Sequence, residues 1–454
     1  AAAATRLATV LRTADVYARS DGVNDRDGVV VAVQLSDADG NTAVRTAGLS
    51  LALQLTALSP EASSGETASA DCGAVEAESG RCTCRCEVPP GWFSTEEDGS
   101  ASAEVMLRYG ADGATVGAFA GSVTLHRAPA HAPLAESGMA LRLPSSPRFA
   151  GDTFEATVEA SLVGVDYGLM AWSVALLYDD SLLRLQSYSV DGIWGDASTT
   201  EEEGSLALLM NLPAAGEEPS GLGIPIFLAT FEVLADAQPD LYDEALSLRV
   251  VSMLNFGNNI IVQDEAATVF DARTDGGAAG QVQIEPVATV GIFAHFARGA
   301  AVLLNTAPLT GAPAATVASA AAVSTRPHAA DFEDVSADAS CVVVGAALDG
   351  GGELEGDAAA GSVLSAVEGC VATATAAQAT GGVAELELSA AGEEAALFLR
   401  VWRPAPLRLL LEDPSLDQLE GCSAEADGAY QASRLRVLAA GDVDLTPLLG
   451  AAAD

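Results

Sequence analysis

The chain contains no lysine. Its 21 basic residues are all arginines, and they stand against 63 aspartates and glutamates. Walker A loops, the phosphate anchor of protein kinases and the Schiff base of pyridoxal enzymes each require a lysine amine at a fixed place. The sequence therefore excludes these three classes of enzyme.

Positive charge is scarce as a whole, and the formal net charge is −42. Affinity for nucleic acid comes largely from neutralising phosphates with Lys and Arg, so a chain with this charge repels a phosphate backbone. We therefore expect no nucleic-acid partner. Lysine codons are AT-rich, whereas alanine and glycine codons are GC-rich. The missing lysine and the alanine-rich composition therefore suggest a GC-rich genome, such as that of an alga.

Histidine is also scarce, with four in the chain. The sequence has no Gly-x-Ser-x-Gly elbow, no His-Glu-x-x-His and no Gly-x-Gly-x-x-Gly between a strand and a helix. His295 lies in the apolar segment Phe293-Ala294-His295-Phe296, a setting typical of a structural histidine. We expect a non-enzymatic protein with no catalytic residue and no cofactor.

Two acidic segments are candidates for a site. Asp179 and Asp180 are adjacent, and adjacent strand residues point to opposite faces, so a turn is predicted there rather than a shared catalytic site. Glu201, Glu202 and Glu203 are predicted to form a solvated loop. No metal-ligand set is predicted, although calcium could bridge acidic patches of this kind.

Long apolar runs are missing as well. The nearest candidate, residues 287–304, carries His295 and Arg298, so no membrane span is expected. Any membrane attachment would then involve segments outside this chain. The first residues lack a basic region followed by an apolar core, so we expect a signal peptide to be absent or already removed.

The seven cysteines favour disulfides over a metal site. Structural zinc sites prefer two to four residues between paired cysteines, whereas Cys82, Cys84 and Cys86 are separated by one. Disulfides in turn indicate an extracellular or cell-surface protein. The disulfide candidates are Cys72, Cys82, Cys84, Cys86, Cys341 and Cys370. Cys422 is left over if these six pair.

The length of 454 residues favours about three domains. Short segments rich in β-branched residues recur throughout, many of them alternating between apolar and polar, with Gly, Asp and Ser turns between them. The sequence therefore predicts an all-β protein of tandem β-sandwich domains, jelly-roll or immunoglobulin-like. The predicted domains are residues 1–128, 134–285 and 286–404, followed by residues 405–454 as an incomplete fourth.

Aromatic residues make up only 5% of the chain. At strand positions such side chains bury a large area, so core positions are predicted for them. The turn at residues 37–41, Asp-Ala-Asp-Gly-Asn, lacks the glutamate at position twelve of an EF-hand loop and is predicted to be a hairpin turn. The predicted core aromatics are Trp92, Phe93, Trp172, Tyr178 and Trp402.

Several motifs follow one another along the chain. They are Cys86-Glu87-Val88-Pro89-Pro90-Gly91-Trp92-Phe93; Gly151-Asp152-Thr153 with Tyr178-Asp179-Asp180-Ser181-Leu182-Leu183; Leu303-Leu304-Asn305-Thr306-Ala307-Pro308-Leu309-Thr310-Gly311; and Val401-Trp402-Arg403-Pro404-Ala405-Pro406-Leu407 with Leu416-Asp417-Gln418-Leu419-Glu420-Gly421. Together they resemble the transmembrane protein 132 family. The resemblance implies a family-specific N-terminal domain, a cohesin-like domain and bacterial-type immunoglobulin-like domains. Cys422 stands where that family usually has tryptophan, which suggests a free or intermolecular thiol.

The resemblance implies adhesion at the cell surface, linking the outside to the inside. We therefore expect an adhesion or structural assembly module of a larger protein. Its partners would be other extracellular proteins or copies of itself, bound through strand edges and acidic patches. One alternative is a subunit of an extracellular filament or mastigoneme-like ciliary hair of an alga. Another is a cohesin-like module in residues 134–285 that binds a peptide or a glycan.

Overall fold

The computed structural model describes most of the chain. The described residues are 6–18, 28–37, 39–42, 49–58, 66–93, 101–111, 114–127, 134–144, 146–195, 197–210, 219–270, 280–326, 332–349, 351–355, 359, 361–404, 407–411, 435–439 and 443–444. They form strands almost throughout, with one four-residue α-helix and three 3-10 turns. The predicted all-β fold class is confirmed. Among these residues, no helix is long and apolar enough to cross a membrane.

The first sandwich has two sheets around one core. The strand orders are β1-β3-β6 and β2-β8-β7-β4-β5, and a 3-10 turn spans Pro90–Trp92. The strands are β1 (Arg6–Leu11), β2 (Asp15–Ala18), β3 (Val29–Ser36), β4 (Leu49–Ala57), β5 (Thr67–Asp71), β6 (Arg81–Cys86), β7 (Ala101–Ala111) and β8 (Ala114–Arg127).

The second sandwich also has two sheets. Their orders are β12-β15-β10-β9-β18 and β13-β14-β11-β16-β17, with β19 also paired to β16. The strands are β9 (Gly138–Arg142), β10 (Thr153–Ser161), β11 (Leu169–Tyr178), β12 (Leu183–Val190), β13 (Ser198–Glu202), β14 (Ser205–Met210), β15 (Ile224–Val233), β16 (Asp240–Asn255), β17 (Ile260–Ala266), β18 (Thr268–Phe270) and β19 (Gly280–Ile284).

The third sandwich pairs a sheet of order β20-β22-β27-β26, to which β23 adds, with one of order β21-β29-β28-β24-β25. Short helical turns span Ala297–Gly299, Ala307–Thr310 and Ser336–Asp338. The strands are β20 (Thr289–Phe296), β21 (Val302–Leu304), β22 (Ala314–Ser324), β23 (Glu333–Asp334), β24 (Ser340–Leu348), β25 (Glu353–Glu355), β26 (Ala366–Glu368), β27 (Val371–Ala374), β28 (Gly382–Ala390) and β29 (Glu393–Trp402). A separate small sheet follows, with β30 (Arg408–Leu411), β31 (Leu435–Ala439) and β32 (Val443–Asp444).

Alternating sequence places one face of each strand in a core. In β10 the exposed and buried positions alternate from Thr153 to Ala160. The core of the second sandwich is centred on Trp172, whose ring lies 5.8 Å from that of Trp194. Trp92, Phe93 and Trp172 are buried as predicted. Tyr178 and Trp402 are only partly buried, because each lies at the end of its strand.

The first and third sandwiches are packed against each other. In β3, Val29, Val31 and Val33 belong to the core of the first sandwich. Ala32 points the other way and forms a buried cluster with Phe293 of β20 and Val323 of β22. The strand is therefore buried on both faces, which accounts for its nearly continuous run of valines.

The turn after β3 does not connect a hairpin, so that prediction is wrong. β3 and β4 belong to different sheets of the first sandwich. The Asp37 carboxylate accepts hydrogen bonds from the backbone N–H groups of Asp39 and Asn41, and Gly40 adopts a φ of 86°. The aspartate thus closes a local turn, and the chain then crosses to the other sheet.

Candidate interaction surface

The second sandwich exposes the outer side of one sheet. We call this surface the outer face and define it by the outward-pointing residues of β11, β14 and β16. In β14 the pattern Ser-Leu-Ala-Leu-Leu-Met buries Leu206, Leu208 and Met210 in the core, so Ala207 and Leu209 point outward. Strand alternation is therefore the cause of the exposed leucine.

Cross-strand register aligns small residues across the outer face. Ser173 of β11 lies opposite Leu209 on one side and Ser252 on the other. One row along, Ala175 lies opposite Ala207 and Arg249. In the next row, Leu177 lies between Ser205 and Ser247. Serine and alanine project little above the backbone, so the centre of the face is shallow.

Three aliphatic side chains project from this shallow surface. Leu177 is 42% exposed, Leu209 is 41% and Val251 is 42%. Val251 is the extra residue of a β-bulge in β16, since Ser173 pairs with Ser252 and Val174 pairs with Val250. All three lie on the outer face, with Leu209 and Val251 on either side of Ser173 and Leu177 two rows further along β11. Exposed aliphatic residues on one sheet face offer apolar surface that another molecule can cover.

The border of the outer face is acidic. Strand β13 is exposed along its whole length and ends in Glu201 and Glu202. At the opposite edge, Asp264 accepts a hydrogen bond of 2.7 Å from Arg249 Nε. Asp264 thus forms an ion pair with Arg249, which lies in the second row of the face. Because Asp264 and Arg249 compensate each other, the negative charge that this border presents comes from the exposed Glu201 and Glu202 at the β13 edge.

The acidic segments of the sequence lie beside this surface. Asp179 accepts hydrogen bonds from the backbone N–H of Ser181 at 3.0 Å and from its hydroxyl at 2.6 Å, which confirms a turn. The predicted solvated loop at Glu201, Glu202 and Glu203 is wrong for the first two residues, which pair with β14 in a hairpin, whereas Glu203 lies in the exposed turn of that hairpin. Burial, followed by the nearby carboxylates, raises the pKa of Tyr178.

Four of the six candidate cysteines are paired. The disulfides join Cys72 to Cys84 and Cys341 to Cys370, and Cys422 lies outside the described residues. Cys82, Cys84 and Cys86 occupy alternate positions of β6 and all face the core, so only one of them pairs with Cys72. The remaining two are free thiols, in contrast to the expectation from sequence.

The environment of the free thiols is apolar. Burial, with a smaller effect of Glu76, raises the pKa of Cys82 to about 12. Burial, with a smaller effect of Glu87, raises the pKa of Cys86 to about 11. Because the thiolate is the reactive and metal-binding form, both positions suit packing rather than chemistry. In the described part of the chain, no three His, Cys, Asp or Glu side chains are grouped as metal ligands.

Comparison with known proteins gives similarity to solved cohesin modules. No protein-family model and no curated protein matches the chain. The sixth cohesin of scaffoldin B from Acetivibrio cellulolyticus, solved with a Cel5 dockerin, is 12% identical, with a TM-score of 0.26 over 33% of this chain and 99% of that one. The seventh ScaB type I cohesin from Pseudobacteroides cellulosolvens is 19% identical, with a TM-score of 0.25 over 33% of this chain and 94% of that one. A likeness of this strength says nothing about what the present chain binds.

Proposed function

We propose that the chain is a non-enzymatic protein-interaction module of an extracellular assembly, and that the outer face is its contact surface. The observation that carries the proposal is that Leu177, Leu209 and Val251 are all exposed on one sheet face, where the residues between them are mostly serine and alanine. A partner that covers these three side chains removes apolar surface from water, which is the usual source of affinity between proteins.

The charges favour a basic partner over a second copy. The β13 edge of the border carries the exposed Glu201 and Glu202, while at the opposite edge the charges of Asp264 and Arg249 compensate each other. A second copy carries the same formal net charge of −42, so two copies repel each other as a whole. A protein that offers aliphatic side chains flanked by Lys or Arg is complementary in both shape and charge. Homotypic assembly into a filament is thereby the less favoured arrangement.

The three projecting side chains are aliphatic, which favours a peptide or protein surface over a glycan, since sugars are commonly bound against aromatic rings. The two disulfides support an extracellular location, where such bonds persist. The resemblance of the sequence motifs to the transmembrane protein 132 family supports adhesion at a cell surface as the biological setting.

A random-sequence peptide display library, selected on the intact chain, tests this proposal. The expected result is enrichment of peptides that combine aliphatic residues with Lys or Arg and that bind less tightly as salt rises. Peptides without a basic bias would contradict the charge argument. In parallel, sedimentation of the chain alone should show a monomer, and self-association abolished by Leu209→Glu would overturn the choice of a heterotypic partner.

A further inference from the structure

The contact between the first and third sandwiches, which we call the seam, has a small apolar centre. Ala32 of β3 is buried against Phe293 and Val323. Val10 of β1 lies beside this cluster and packs on Gly291 of β20. Because only a few apolar side chains meet here, the polar groups around them decide how firmly the two sandwiches are joined.

Hydrogen bonds cross the seam at two places. At one end, Arg12 Nε donates to the carbonyl oxygen of Ser324 at 2.8 Å, and the same guanidinium bonds the carbonyl of Arg326. At the other end, the Thr42 N–H donates to the Gly299 carbonyl at 2.9 Å. Close by, the Ala301 N–H donates to the Asn41 side-chain oxygen at 2.8 Å. The amides of Thr42 and Ala301 therefore report directly on whether the seam is closed.

His295 is the titratable histidine of this seam. It lies on β20 of the third sandwich, and its Nδ1 atom is buried without a hydrogen-bond partner among the described residues. The charges that act on it are Arg81, Glu76 and Glu78 of the first sandwich and Asp334 of its own sandwich. The guanidinium of Arg81 also lies over the ring of Phe332, 4.9 Å from its centre, so this cation is itself held in the seam.

We propose that the seam is an acid-sensitive joint, in which protonation of His295 weakens the docking of the first sandwich on the third. The neutral ring fits a site that is partly buried and bordered by the Arg81 cation. A protonated ring would place a charge in this partly buried site, with an Nδ1–H that finds no acceptor among the described residues. The neighbouring cation, Arg81, is ion-paired with Glu76 at 3.1 Å, so burial is the main cost.

The direction of the effect follows from the environment of the ring. Burial lowers the pKa of His295 first, and Arg81 lowers it further, while Glu76, Glu78 and Asp334 act against them. In an open seam the ring would return to an ordinary histidine pKa of about 6.5. The closed seam therefore binds the proton less well than the open one. Docking is at full strength above about pH 6.5 and weakens as the pH falls toward the lowered pKa of the closed state.

Amide hydrogen exchange of the full chain, resolved by NMR, tests this joint. Between pH 7.5 and 5.5, after correction for intrinsic exchange rates, we expect Thr42 and Ala301 to lose protection. His295→Gln should abolish that pH dependence. His126→Gln is the matched control, because His126 is an exposed histidine paired with Asp15 at 2.7 Å. The control should retain the pH dependence.

Two outcomes would overturn the proposal. One is wild-type protection at Thr42 and Ala301 that does not change down to pH 5.5. The other is the same loss of protection in His295→Gln as in the wild type. Should that variant fold poorly, the ring signal of His295 in the wild-type chain decides, because titration at an ordinary histidine pKa in the closed seam is incompatible with the joint. None of these readouts involves the outer face.

Discussion

Val10 packs directly on the backbone of Gly291, so two residues far apart in sequence hold two sandwiches together. A β-carbon placed on Gly291 would lie 2.8 Å from Val10 Cγ2 and 3.1 Å from Cγ1. Real β-carbons essentially never come within 3.0 Å of another atom, so a side chain at this position would force Val10 to move. This contact joins the first and third sandwiches directly, so they are not independent domains connected only by the chain.

Gly291→Ala is therefore expected to loosen the seam. Overpacking of this kind costs about 1–3 kcal/mol. Here the cost reduces the free energy of docking between the two sandwiches and leaves the folding of each sandwich unaffected. Hydrogen exchange at Thr42 and Ala301 should accelerate while strand amides within each sandwich keep their protection. Gly192→Ala is the control, since a β-carbon there has no neighbour within 4 Å. Equal protection in both variants would contradict this role of the contact.

Trp172 should be the most sensitive core position of the second sandwich. Its ring contacts Trp194 and lies 6.4 Å from the ring of Phe227, while its indole N–H is buried with no hydrogen-bond partner in the described part of the chain. Trp172→Ala is expected to cost about 3–5 kcal/mol of unfolding free energy. Trp172→Phe should cost clearly less, because it keeps much of the packing and removes the unpaired N–H. Urea denaturation followed by circular dichroism measures both, and equal losses would contradict this packing.

The thiols of Cys82 and Cys86 should resist alkylation in the folded chain. Their pKa values of about 12 and 11 leave almost no thiolate at pH 8, and both side chains are buried. Iodoacetamide followed by peptide mass spectrometry should modify both residues only after denaturation. Rapid labelling of either thiol under native conditions would show that β6 does not face the core as described.

The joint between the second and third sandwiches should depend on Arg326. Its Nε lies 3.4 Å from an Asp152 carboxylate oxygen in the turn before β10. Arg326→Ala removes this ion pair and is expected to broaden the distribution of distances seen by small-angle X-ray scattering. Arg184→Ala removes an exposed pair with Glu232 within the second sandwich and should leave the scattering unchanged. Identical curves for both variants would contradict a role of Arg326 in interdomain order.

The sequence predicted those elements whose pattern is local. Alternation in β10 and β14 determines which side chains enter the core, and the burial of Trp172 followed from its place on a strand. The same alternation contains the exposed Leu209 of the outer face. Its neighbours across the sheet could not be known, because register between β11, β14 and β16 is a property of the folded chain.

Other features depend on partners distant in sequence. The valine run of β3 indicated a strand, but not that the third sandwich covers its second face. The Asp37 turn has the residues of a hairpin turn, yet the chain crosses to another sheet after it. The acidic run at Glu201 and Glu202 has the composition of a solvated loop. Its pairing with β14, which makes it a strand, cannot be seen in the local sequence.

Binding of a protein partner to the outer face is measured by the affinity of variants for a peptide selected on the wild-type chain. Leu209→Glu removes one aliphatic contact and adds an unpaired charge, so it should raise the Kd at least about tenfold, as expected for a central contact residue. Leu222→Glu makes the same change at a leucine exposed in the loop before β15 and should leave the Kd unchanged. Equal affinity of the wild type and Leu209→Glu would show that the peptide does not bind to the outer face.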